Sequence, residues 1–214
     1  GGSVITVDDH RRVIEPGAVA ITGDRIVAVG TVEDLAAYDA ARTVDCANKA
    51  IIPGLIDSHT HLFQSLGRGL GDGMSLYPWL SEFMWPYARE ITTEDAWAAV
   101  RITALEAARA GTTAVLDDHY APVDLETTVG VARVIEEVGL RGAVGRGILG
   151  APAEITRHYD LPDYLFALSP KEELDITRAA IEATAGRQVV VWPAPDGQFI
   201  DRDLIIDCVA LAHE

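Results

Sequence analysis

The amino-acid sequence predicts an α/β protein in which a small β-domain, residues 1–50, precedes a larger α/β domain, residues 51–214. Two observations predict this arrangement. Residues 1–50 contain short β-rich segments separated by turn residues, whereas β-rich and helical segments alternate through the rest of the chain. Strands that alternate with helices pair in parallel through right-handed crossovers, so the second domain is expected to contain a parallel sheet.

The β-domain is predicted from its turn signals. Gly23-Asp24 lies between two β-rich segments, and a two-residue turn that contains glycine is typical of a β-hairpin. The predicted strands of this domain are residues 4–7, 18–22, 25–29 and 44–46.

The α/β domain begins with residues 50–57, a nearly all-apolar run that predicts a strand buried on both faces. A long loop is expected next, and Thr92 or Thr93 is the expected cap of the following helix.

The strands and helices of this domain make four βα units. A complete eightfold barrel takes about 250 residues, and only 164 follow residue 50 (214 − 50). Two architectures are therefore compatible with the sequence. One is an open four-unit sheet, and the other is a barrel whose remainder is absent from this sequence. The predicted helices are residues 93–110, 125–138, 170–185 and 201–213, and the further strands are 112–116, 140–148 and 188–193.

Composition excludes several classes of protein. With 49% hydrophobic residues the chain can bury a sizeable core, yet no apolar run reaches the roughly 18 residues of a membrane-spanning helix. The first residues lack the basic and apolar segments of a secretory signal. Thirty-three acidic against 17 basic residues give a net charge of −16, which argues against nucleic acid and membranes as partners. Cys46 and Cys208 are expected to be buried free thiols, and the cytoplasm is the expected location.

The sharpest chemical motif is Asp57-Ser58-His59-Thr60-His61, directly after the predicted strand. Alternate residues of an extended chain point the same way, so His59 and His61 are expected to project from one face. Active sites of α/β barrels lie at the carboxyl ends of the strands. Two imidazoles at that end can bind one divalent metal, with zinc, iron and nickel as candidates. The alternative is a pair of exposed loop histidines.

This run, residues 52–62, resembles the signature PG-x-x-D-x-H-x-H of the amidohydrolase superfamily. Further segments are similar to the branch that contains chlorotriazine hydrolases, S-adenosylhomocysteine and methylthioadenosine deaminases, and guanine or 8-oxoguanine deaminases. The resemblance runs from about residue 3 to the end of the chain and is closest through residue 118. The segments that carry it are Gly23-Asp24-Arg25-Ile26-Val27-Ala28-Val29-Gly30, Leu66-Gly67-Arg68-Gly69-Leu70, Leu76-Tyr77-Pro78-Trp79-Leu80, Pro86, Glu94-Asp95 and Gly111-Thr112-Thr113-Ala114-Val115.

The resemblance implies a (β/α)8 TIM-type barrel of the metal-dependent hydrolase kind, with the first four βα units present here, and an N-terminal β-sandwich domain. It implies one divalent metal, zinc before iron or nickel, bound by His59 and His61. A third histidine and an aspartate would complete the four protein ligands of the metal, and a glutamate and a histidine would transfer protons; all four would lie beyond residue 214. Metal-bound hydroxide would attack the ring carbon of a purine, pyrimidine or triazine-like heterocycle and expel ammonia. The chain alone is expected to be inactive, and a homo-oligomer, dimer or larger, is expected because relatives often form one.

Three residues are weaker candidates for binding a small heterocyclic substrate. Gln64 lies where some purine-deaminating relatives carry a glutamine that hydrogen-bonds the ring, and an exposed loop glutamine is the alternative. Trp79 is a candidate aromatic wall, although core packing is the preferred interpretation. His119 follows a predicted strand at the catalytic end, and a structural histidine is preferred over a substrate contact. The remaining histidines, His10, His158 and His213, are expected at the surface.

Two other functions stay open from the sequence. A dechlorinating or alkylamine-releasing triazine hydrolase uses the same metal and water and differs only in the leaving group. A catalytically inactive half-barrel that serves as a binding or assembly module belongs to a different class. Such a half-barrel would expose unpaired strand edges and apolar helix faces, so it should aggregate or pair with a complement.

Overall fold

The computed structural model describes residues 1–152, 161–196 and 200–214, so His158 lies outside the described residues. The chain divides into two compact units, Gly1–Gly54 and Leu55–Glu214. In the described part of the chain, no helix combines the length and apolar character that crossing a membrane requires.

The first unit is a four-stranded sheet in the order β3-β2-β1-β4. The predicted hairpin is confirmed, because Thr22 pairs with Arg25 across a turn in which Gly23 has a φ of 60°. That φ is costly for other residues and free for glycine. The strands are β1 (Gly2–Ile5), β2 (Val13–Thr22), β3 (Arg25–Thr31) and β4 (Ala50–Ile51).

The predicted strand at residues 44–46 is wrong, because local turn chemistry prevails there. The Asp45 carboxylate accepts a hydrogen bond from the Ala47 amide at 2.9 Å, and the Cys46 carbonyl accepts one from Lys49 at 3.0 Å. Aspartate favours such turns because its side chain replaces a backbone acceptor. Cys46 is also only half-buried, contrary to prediction, whereas Cys208 is buried and both thiols are free.

The second unit contains the parallel sheet that the sequence predicts, in the order β5-β6-β7-β8. Each neighbouring pair is parallel, and helices follow the strands along the chain. The strands are β5 (Leu55–Thr60), β6 (Thr112–His119), β7 (Arg141–Ile148) and β8 (Val189–Pro195). The helices are α1 (Leu76–Pro78), α2 (Trp85–Glu90), α3 (Thr93–Arg109), α4 (Leu125–Val138), α5 (Pro170–Thr184) and α6 (Arg202–Leu211).

The helices α3 and α5 begin at side-chain caps that the sequence contains. Thr92 caps α3 through a reciprocal pair of bonds with Asp95, and Ser169 caps α5 in the same way with Glu172. Each cap satisfies amide groups that have no partner inside the helix. The predicted cap at Thr92 is confirmed, and the predicted bounds of the four long helices agree with the structure to within two residues.

The predicted strand at residues 50–57 is corrected in two respects. Ala50–Ile51 pairs with β1 in the first unit, and only Leu55–Thr60 joins the parallel sheet. This β5 is not buried on both faces, since Leu55 is 52% and Ile56 75% exposed. The reason is that β5 lies at an edge of the described sheet, where β6 is its one neighbour.

The predicted long loop after β5 is largely helical. A 3₁₀ turn spans Leu62–Gly67, and α1 continues through a π-helical turn, Trp79–Met84, into α2. Met84 and Trp85 are buried on this segment, and Leu80 packs against the same core. The apolar residues at positions 80 and 84 have the i, i+4 spacing of a helix face, and that spacing is the signal that the loop prediction missed.

Gly142 lies where β7 runs directly against the backbone of β6. Its φ is 142°, and a Cβ atom there would lie 1.8 Å from the carbonyl oxygen of Val115. Gly142→Ala is therefore expected to lower the free energy of unfolding by about 2–3 kcal/mol, because the strands must separate to admit the methyl group. Gly186→Ala is the control for backbone strain alone, since Gly186 has a φ of 75° and no atom within 4 Å of the added Cβ. Urea unfolding measures both, and equal losses would contradict the steric explanation.

Candidate active site

His59 and His61 leave the carboxyl end of β5 on the same side of the strand. Their ring centroids are 4.9 Å apart, and both rings line a cavity of about 570 Å³ at this end of the sheet. His59 is exposed and His61 is half-buried. The alternation of an extended chain thus brings the two imidazoles together, as the sequence predicts.

The ring of His61 is held by the neighbouring strand. Its Nδ1 lies 2.7 Å from the carbonyl oxygen of Asp118, and because a carbonyl oxygen only accepts, Nδ1–H is the donor. The lone pair of Nε2 is then available to a metal, which is the usual arrangement of a metal-binding histidine. One residue further on, the amide of Leu62 donates to the Asp117 carboxylate at 2.7 Å. Two short hydrogen bonds therefore join the ends of β5 and β6 at the site.

Asp118 is a site residue that the sequence analysis did not select. Ligand atoms of His59, His61 and Asp118 all lie within 4.8 Å of one another. The pairing of Thr60 with Asp117 places the residues that flank them, His61 and Asp118, on one face of the sheet. Alternation along β6 could have found Asp118, but only once the register of the two strands was known.

Asp117 and His119 point to the opposite face of β6, and both are fully buried. His119 does not line the cavity; its Nε2 donates to the carbonyl of Pro122 at 2.8 Å, and its ring meets Phe63 edge to face at 5.3 Å. Burial lowers the pKa of His119 to about 4 and raises the pKa of Asp117 to about 7. The strand's alternation explains this placement, since Asp118 faces the cavity and the residues on either side cannot.

The other two predicted substrate contacts, Gln64 and Trp79, do line the cavity. The side-chain amide of Gln64 donates to the hydroxyl of Tyr120 at 2.6 Å, and this bond fixes the amide plane. Burial raises the pKa of Tyr120, so its hydroxyl keeps its proton. Trp79 is half-buried and also packs against Phe83, with ring centroids 6.0 Å apart, so it is a wall of the cavity and part of the core edge at once.

The rest of the cavity lining is largely apolar and aromatic. Beside the two histidines and Asp118, most of the lining residues carry apolar or aromatic side chains. Cavities of this size hold small molecules, with a few polar groups that set orientation. The apolar and aromatic lining includes Leu76, Trp79, Leu80, Trp85, Ile148, Leu161 and Leu165.

The donor set fits a divalent metal. Imidazole nitrogens suit zinc, iron and nickel, and a neighbouring carboxylate offers a negatively charged oxygen that such ions also bind. A metal bound there would face the cavity, because His59, His61 and Asp118 all line it.

The chain belongs to the amidohydrolase family, whose model matches residues 50–214. A 5-methylthioadenosine/S-adenosylhomocysteine deaminase of Bacillus cereus is 32% identical over 144 residues, which are 67% of this chain and 33% of that relative. A second such deaminase, of Bacillus anthracis, has the same identity and the same coverage of both chains. The chain therefore spans about a third of the length of these curated relatives.

Solved structures of the same fold cover nearly all of this chain. A triazine hydrolase variant superposes with a TM-score of 0.80 at 20% identity, over 99% of this chain and 48% of its own. A guanine deaminase from C. acetobutylicum with bound guanine gives 0.78 at 19%, over 99% and 49%. An atrazine chlorohydrolase from Arthrobacter aurescens complexed with zinc gives 0.77 at 22%, over 99% and 49%. The four βα units with their β-domain thus correspond to about half of a metal-dependent hydrolase barrel.

Proposed function

We propose that this chain forms one half of the catalytic site of a metal-dependent hydrolase that acts on C–N bonds other than peptide bonds, deaminating a purine, pyrimidine or triazine-like heterocycle. The observation that carries the proposal is the pair His59 and His61, which line the cavity 4.9 Å apart beside Asp118. Ammonia is the proposed leaving group because deaminases occur both among the curated relatives and among the solved structures.

In this proposal the residues of the chain bind the metal and orient the substrate. A divalent metal, with zinc preferred, would activate water for attack on a ring carbon. His59 and His61 hold the metal, and the hydrogen bond from His61 to the Asp118 carbonyl keeps the ring in one orientation. Gln64, fixed by Tyr120, would read one edge of the heterocycle, and Trp79 would cover its face. His119, which lies behind the sheet, would support the strand end and not contact substrate.

The test is metal content and ammonia release by the protein at its native length, with His59→Ala and His61→Ala beside the parent. The panel holds adenosine derivatives, guanine, 8-oxoguanine, cytosine and aminotriazines. We expect about one metal per chain and a fall of more than about 100-fold in ammonia release in both variants, because each removes a metal ligand. His213→Ala is the control and should behave as the parent, because His213 is exposed and lies two residues past the end of α6.

Other outcomes separate the alternatives. Chloride or alkylamine release in place of ammonia would establish the triazine hydrolase function. A protein that binds no metal, or histidine variants as active as the parent, would overturn the metal proposal and leave a binding or assembly module. The cytoplasmic location, the homo-oligomer and the absence of nucleic acid or membrane partners stay predictions.

A further inference from the structure

A third metal-binding group is available beside the two histidines. Asp118 extends from β6 on the face that carries His61, and its Oδ2 lies 4.0 Å from the His61 Nδ1, the nitrogen that donates to the Asp118 carbonyl. Ligands about 2.1 Å from a tetrahedral ion lie about 3.4 Å apart, and the three side chains hold their ligand atoms within 4.8 Å of one another. Rotation of side chains that are partly exposed closes this difference, since Asp118 is 38% and His61 28% exposed.

The two neighbouring aspartates are used differently. The Asp117 carboxylate is buried and accepts the Leu62 amide, so it belongs to the packing between strands. The Asp118 carboxylate accepts no hydrogen bond from another residue in the described ranges, and it faces the cavity. A carboxylate that faces two imidazoles, with its own backbone carbonyl orienting one of them, is placed to complete a set of metal ligands.

We propose that the side chain of Asp118 is a direct ligand of the divalent metal, so that this chain supplies a set of two histidines and one carboxylate. This inference rests on the proposed function, since it requires the metal at His59 and His61. It adds an oxygen ligand from the second barrel strand to the two expected from the sequence.

The test measures metal binding, not activity. Chelator-treated protein is titrated with Zn²⁺ in competition with a coloured chelator, and a Co²⁺-loaded sample is examined by visible absorption. Asp118→Asn should weaken Zn²⁺ binding by at least about tenfold and change the Co²⁺ spectrum, because a neutral amide is a poor ligand. Asp196→Asn is the matched control, since Asp196 lines the same cavity, undergoes the same change of charge and lies outside the cluster. Asp118→Glu, which keeps a carboxylate, should retain most of the affinity.

The outcomes distinguish this inference from the proposed function. One outcome is that Asp118→Asn binds Zn²⁺ as tightly as the parent and Asp196→Asn, whereas His59→Ala and His61→Ala no longer bind Zn²⁺. In that case Asp118 is not a ligand and the metal proposal stands. If the histidine variants keep the metal, both proposals fail. Circular dichroism of each variant shows that the fold is intact; should Asp118→Asn unfold, an Asp118→Glu variant that binds as weakly as His61→Ala would equally overturn the inference.

Discussion

Glu173→Ala is expected to lower the free energy of unfolding by about 3–5 kcal/mol, because it leaves the Arg146 guanidinium buried without its counter-charge. Arg146 is fully buried, and its Nη1 donates to the Glu173 carboxylate at 2.6 Å. The other oxygen of that carboxylate accepts the amides of Leu149 and Gly150, each at 3.3 Å. One side chain thus ties the end of β7 and the following loop to the first turn of α5.

The control is an ion pair of similar geometry at the surface. Arg68 and Glu106 form two hydrogen bonds, at 3.1 and 2.7 Å, but both side chains are more than half exposed. Water screens such a pair, so Glu106→Ala should cost much less than Glu173→Ala. The double change Arg146→Met with Glu173→Leu should recover much of the loss seen in Glu173→Leu alone, because no charge is then left buried. Urea midpoints compare the variants, and equal losses at Glu173 and Glu106 would contradict the explanation.

Asp117 and His119 are expected to give opposite dependences of stability on pH when each is tested alone. Both are fully buried, and Asp117 Oδ2 lies 3.9 Å from His119 Nδ1. Neither atom has a hydrogen-bond partner among the described residues. The main cause of both pKa shifts is burial, and neither residue is a cause of the other's shift. Each shift should therefore persist when the other residue is replaced.

The sign follows from the protons that each group binds. The pKa of Asp117 is raised from 3.8 to about 7 in the folded protein. Its contribution to the free energy of unfolding is therefore full below pH 3.8 and is lost as the pH rises to 7. The pKa of His119 is lowered from 6.5 to about 4. Its contribution to the free energy of unfolding is therefore full above pH 6.5 and is lost as the pH falls to 4. Between pH 4 and 6.5 the two trends oppose each other, and the parent should show little net change from this pair.

Asp117→Asn should therefore become more stable from pH 4 to 6.5, and His119→Gln should become less stable over the same interval. Each trend amounts to about 3 kcal/mol relative to the parent, since each pKa unit is worth about 1.4 kcal/mol. Urea midpoints at pH 4.5, 5.5 and 6.5, measured with a chelator present, give the slopes. The double variant should again show the small pH dependence of the parent. If the urea midpoints of all four proteins depend on pH in the same way, Asp117 and His119 are not both uncharged in the folded protein.

The sequence determined the local part of this structure because local signals carry it. Gly23-Asp24 specifies a hairpin turn through backbone conformation, and Thr92 and Ser169 specify helix starts through hydrogen bonds to nearby amides. His59 and His61 face one cavity because alternation is a property of the strand itself. Each of these features depends on residues only a few positions apart.

Features that depend on distant residues were decided only by the tertiary structure. The exposure of Leu55 and Ile56 follows from the edge position of β5, which no local pattern of apolar residues encodes. His119 and Asp118 are adjacent in sequence, yet they lie on opposite faces of β6. With the observed register between β5 and β6, His119 is buried behind the sheet and Asp118 lies beside the two histidines. A shift of one residue in that register would exchange the two, because side chains alternate between the faces of a sheet. The sequence by itself therefore predicted the histidine pair, His59 and His61. The pairing of β5 with β6, which brings His61 against Asp118 from 57 residues away, placed a carboxylate beside that pair.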